Sequence, residues 1–124
     1  MTKTIRGFVL FEGVAFMAAA LTHFGVLFRG YEHQKAGTAE SVIALVLLGG
    51  FILSLIRPQS THGIGLAVQG FALVGTLVGI FTIAVGIGPR TIPDITYHVV
   101  IVAFLIWGLV INGRGNSERS SFSL

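Results

Sequence analysis

Four ionisable side chains stand where a strongly apolar chain has least reason to carry them: His23, Glu40, Asp94 and His98. Two imidazoles and two carboxylates are the residue types that ligate copper, iron or zinc inside a helical bundle. The same two histidines, facing one another, would suit the two axial positions of a haem. The spacing favours convergence. Asp94 and His98 are i, i+4 and stack on one side of a helix, where the carboxylate can orient the imidazole. Glu12 and His23 are eleven residues apart, about 1100° of helical rotation, which leaves an offset of only about 20°. They therefore share a face, about three turns apart. Glu12 pairs in depth with Gln69, and Tyr97 adjoins His98. That set suggests a polar pocket or a proton relay running from Glu12 toward His23. Each ionisable side chain costs roughly 2.5–3.5 kcal/mol near the centre of a membrane, so a partner is expected for every one.

A membrane is what the composition demands. The chain has 124 residues, 53% hydrophobic and 10% charged, against roughly 25% charged in soluble domains. Its net charge of +3 is scattered over helix ends rather than gathered in a stripe, which argues against nucleic acid. There is no cysteine, which excludes disulfides and thiol chemistry. Crossing a hydrocarbon core of about 30 Å takes roughly 20 apolar residues. Four segments qualify: Ile5 to Phe28, Thr38 to Ile56, Thr61 to Ile87, and Ile92 to Ile111. The expected fold is all-α, a polytopic four-helix bundle over residues 1–112, followed by a disordered polar tail over 113–124. The stretch through Glu12 is too long for a cleaved signal peptide and reads as an anchor.

Lys3, Arg6, Arg57, Arg114 and Arg119 outnumber Arg29, Lys35 and Arg90 on the other side. The positive-inside rule then puts both termini in the cytoplasm of a bacterial-type inner membrane. In this frame Trp107 lies toward the inner interface and Tyr31 in the outer loop. His23, Glu40, Asp94 and His98 fall at comparable height near the outer face, on three helices. His33, in the loop "RGYEHQKAGT", and His62, at the inner boundary, read as solvated.

Some of these residues have a purely structural use. "TIPD" has the form of a capping box, with Thr91 as the cap and Asp94 returning the bond. Glu40 would complement a positive helix N-terminus. Gly75 and Gly79 form a GxxxG that permits close helix packing, within the bundle or between copies.

The first helix ends "AFMAAALTHFG" and the second begins "AGTAESVIALVLLGG", with an acid early in the span and glycines after it. Over about the first half of the chain this resembles the DoxX-like group of small four-helix membrane proteins. The resemblance implies that architecture and a link to respiratory or redox membranes. Three functions follow as expectations: a metal or redox-cofactor pocket at the outer face, an oligomeric proton-coupled carrier using Glu12, or a structural subunit of a larger membrane complex.

Overall fold

The computed structural model describes the backbone of residues 1–122 and the side chains of residues 1–115. Four helices are present: α1 (Thr2–His23), α2 (Gln34–Ile56), α3 (Thr61–Ala84) and α4 (Ile92–Phe122), with a 3-10 turn at Pro58–Ser60. All four are long and apolar enough to cross a membrane. Side chains sort as lipid requires. Phe11, Leu45, Val74, Phe81, Val99 and Trp107 lie exposed, while Glu12, Gln69 and Asn112 have no exposed surface. Burying polar groups and exposing apolar ones is stable only where the surroundings are hydrocarbon.

The helix ends differ from the expected spans for local reasons. α1 stops at His23 instead of running to Phe28, because Gly25 turns to φ +77° and its amide returns to the Thr22 carbonyl. α2 starts four residues before Thr38, because His33 caps it: the Ala36 N–H donates to His33 Nδ1 at 3.1 Å. The loop histidine read as solvated is thus a structural joint, since its Nε2–H also donates to the Ile87 carbonyl at 3.1 Å. In the same loop Glu32 accepts from the Gly30 N–H at 3.0 and 3.1 Å. Hydrogen bonds from its own backbone and from Gly30 hold its carboxyl below the usual value.

α4 does not end at Ile111. It continues to Phe122, because "NGRG" is packed rather than turned. Asn112 and Gly115 are buried, and a Cβ on Gly115 would lie 2.7 Å from Met1 Cγ and 2.9 Å from His62 Cε1. Much of the tail expected to lack order is therefore helical. Residues 123–124 and the Arg119 side chain lie outside the described residues. The contact also brings the start of α1 to the late turns of α4, at one end of the bundle. His23, Glu40 and Asp94 meet at the other end.

Among the described residues, the buried positions on α4 are Asp94, His98, Ile101, Leu105, Gly108, Asn112 and Gly115. Their alternating spacing of four and three is the 3.5-residue period of a left-handed bundle seam. α1 packs on α2, α3 on α4, and both α2 and α1 reach α3. Gly65, Gly75 and Gly79 of α3 serve these contacts. A Cβ on Gly75 would lie 2.8 Å from Ile43 Cδ1, and one on Gly79 would lie 3.2 Å from His98 Nε2, whereas Gly70 has nothing within 4 Å. Gly75→Leu is expected to lower stability by about 1–3 kcal/mol through overpacking. Gly70→Leu should stay within about 0.5 kcal/mol of the parent. Unfolding in detergent checks this, and equal stability of the two variants would contradict the packing.

Candidate functional site

At the turn that ends α1, the His23 ring lies between two carboxylates. Its Nδ1 is 2.6 Å from Glu40 Oε2 and its Nε2 is 2.8 Å from Asp94 Oδ1. The three residues come from α1, α2 and α4, and all are buried. Each nitrogen–oxygen contact needs one proton. With both contacts made, the group carries a net charge of −1 wherever those two protons sit, unless a third proton joins. Buried charge of this kind persists only when paired and hydrogen-bonded.

Asp94 is divided between two tasks. Its Oδ2 accepts from the Thr91 N–H at 3.1 Å and from the Thr91 hydroxyl, and its own N–H reaches Thr91 Oγ1 at 3.3 Å. That is the capping box expected from "TIPD". It also sets the carboxylate next to the positive end of α4, which offsets part of the negative charge. Oδ1, turned away from the cap, is left for His23.

His98 uses a different part of the same residue. Its Nδ1 donates to the Asp94 carbonyl at 2.7 Å. A carbonyl only accepts, so Nδ1 carries the proton and Nε2 of the neutral ring presents a lone pair. The two histidines therefore flank Asp94 but line different spaces. His23 and Asp94 border a cleft of about 540 Å³ between α1 and α4, together with Ala15, Thr22 and Tyr97. Glu40 and His98 border a second cleft of about 180 Å³, enclosed by α2, α3 and the α3–α4 loop. Tyr97 stands edge-on to Phe16 and to His98, at ring separations of 5.9 and 5.6 Å. Its hydroxyl is buried and has no hydrogen-bond partner among the described residues.

These bonds bear directly on a metal or haem held between His23 and His98. While both His23 nitrogens face carboxylates, that ring has no lone pair to give a metal. Among the described residues no three metal-ligating side chains surround one point. The arrangement fits proton exchange better than ligation, because an imidazole with an oxygen at each nitrogen can take a proton on one side and release it on the other.

Deeper in the bundle, Gln69 Nε2 donates to both oxygens of Glu12, at 3.0 and 3.2 Å. Gly108 of α4 leaves the room for this pair, since a Cβ there would lie 3.3 Å from Glu12 Oε2 and 3.0 Å from Phe8 Cδ1. Glu12 is not linked to His23. Eleven residues separate them, about 16 Å along the helix, and the buried face between holds Phe16 and Ala20. A relay from Glu12 to His23 has no hydrogen-bonded chain among the described residues.

A third polar layer closes the Met1 end. His62 Nδ1 lies 3.1 Å from Asn112 Oδ1, and Asn112 Nδ2 donates to the His62 carbonyl at 3.2 Å. His62, read as solvated, is buried. The signal was in the sequence: Asn112 lies 18 residues after Asp94, five whole turns, so the two share a face. Nearby, Arg6 Nη2 donates to the Ser54 carbonyl at 2.6 Å and ties α1 to the end of α2. The chain matches no family model, no curated protein and no solved structure.

Proposed function

We propose that this protein is a small proton-coupled membrane carrier, in which the Glu40–His23–Asp94 triad links ligand binding in one cleft to proton exchange with the other. One observation carries the reading. Both nitrogens of a buried imidazole are engaged by carboxylates from different helices, and those carboxylates line different clefts. Glu40 is shared: its Oε2 meets His23, and the residue also lines the smaller cleft. A ligand that draws on the Glu40 charge competes with the His23 proton, which can then leave through Nε2 toward Asp94. That competition is the coupling. The positive-inside bias places the Met1 end in the cytoplasm and the triad end at the outer face of an inner membrane. We take the working unit to be a homo-oligomer, with the two clefts repeated in each copy.

The test uses purified protein in vesicles loaded with a pH-indicating dye, challenged with small amines, acids and alcohols. One solute class should change lumenal pH in a saturable way. Asp94→Asn, which keeps the size of the side chain and removes the acid, should abolish the response while helix content stays unchanged. No response to any class, or an undiminished response in Asp94→Asn, would overturn the reading.

A further inference from the structure

The smaller cleft is mostly apolar, and the polar side chains inside it are placed to act as hydrogen-bond acceptors. His98 is 8% exposed and its Nδ1 proton is spent on the Asp94 carbonyl, which leaves the Nε2 lone pair facing inward beside Gly79. Glu40 is 5% exposed; its Oε2 is taken by His23, and no protein donor reaches Oε1 among the described residues. The two hydroxyls on the wall are already committed. Thr76 donates to the Ala72 carbonyl at 2.7 Å and Thr82 to the Gly79 carbonyl at 2.6 Å, so toward the cleft both can only accept. His33 is saturated by the Ala36 amide and the Ile87 carbonyl. The remaining donor is Lys35, which is exposed and sits at the mouth.

Two nearly buried acceptors, one of them a carboxylate, define what would satisfy them. Leaving a buried polar group without a partner costs about 1–3 kcal/mol, and more when it is charged. A neutral alcohol could donate one proton but would not offset the charge. An acid would be repelled by Glu40. A metal ion would find one imidazole and one carboxylate, with no third His, Cys, Asp or Glu placed to complete the set among the described residues. A primary ammonium brings three donors and one positive charge in a compact group, which suits His98 Nε2, Glu40 Oε1 and a threonine oxygen. The space of about 180 Å³ holds several waters or one molecule of a few heavy atoms, and Phe16 and Ile43 on its wall suit a short alkyl chain. We propose that this cleft binds a small protonated primary amine, with Glu40 as counter-charge and His98 as acceptor. The inference rests on the carrier reading for its purpose and stands on its own as a binding site.

Ethylammonium, ethanol and acetate, close in size and different in charge, separate the cases when titrated by calorimetry into detergent-solubilised protein. Saturable binding of ethylammonium alone is expected. Glu40→Gln should weaken it at least tenfold. Gly79→Val, which fills the space beside His98 Nε2, should abolish it and gives a second route if Glu40→Gln folds poorly. Equal or tighter binding of ethanol or acetate, no ethylammonium binding to the parent, or affinity unchanged in both variants would overturn the proposal. Binding with no pH response in vesicles would leave the amine site standing and remove the carrier reading. A pH response to another solute class, with no ethylammonium binding, would keep the carrier reading and remove the amine site.

Discussion

His23→Leu is expected to lower the stability of the folded protein by about 3–5 kcal/mol, the range for removing one partner from a buried ionic group. The two carboxylates that remain are not equally stranded. Asp94 keeps the Thr91 amide and hydroxyl, whereas Glu40 loses its one protein hydrogen bond among the described residues. Adding Glu40→Leu to His23→Leu should therefore recover most of the loss, since an apolar side chain of similar volume replaces an unpaired charge. Adding Asp94→Leu should recover less, because it also removes the α4 cap, worth about 0.5–2 kcal/mol. Denaturant unfolding in mixed micelles reads the whole series. If His23→Leu matches the parent, the triad does not hold α1, α2 and α4 together. If the two rescues are equal, the cap contributes nothing.

Gln69→Leu should be the second large loss, about 3 kcal/mol, at the upper end of the range for stranding a buried polar partner. Glu12 has no exposed surface, and Gln69 is its hydrogen-bond partner. In hydrocarbon neither water nor a side-chain shift can replace it, because Phe8 and Gly108 close the site. The double variant Glu12→Leu/Gln69→Leu removes both ends of the interaction at nearly constant volume and should return to the parent stability or exceed it. The double-mutant cycle then gives a coupling energy as large as the two single losses together. Additive losses would mean that the pair does not interact. Vesicle pH responses should survive the double variant, because Glu12 lies about 16 Å along α1 from His23 with Phe16 and Ala20 between.

Rise and rotation per residue are constants of the helix, so the sequence by itself determines depth and face. That is why four spans, the shared face of Glu12 and His23, and the stacking of Asp94 with His98 were legible from spacing. "TIPD" was legible as a cap because a capping box is closed within four residues. Azimuth between helices is not encoded in one-dimensional spacing, and there the tertiary structure decided. It turned His23 so that its two nitrogens meet the carboxylates of Glu40 and Asp94, a pairing that spacing along one helix does not specify. It gave His98 the carbonyl of Asp94 instead of the carboxylate, because Thr91 and His23 already claim both carboxylate oxygens. It buried His62 against Asn112, and so carried α4 through a glycine-rich stretch that reads locally as a helix end. Local hydrogen bonds close within a few residues and leave a mark in the sequence. Bonds between helices depend on how whole helices are rotated against one another, and that is set by the packing of every side chain along the seam.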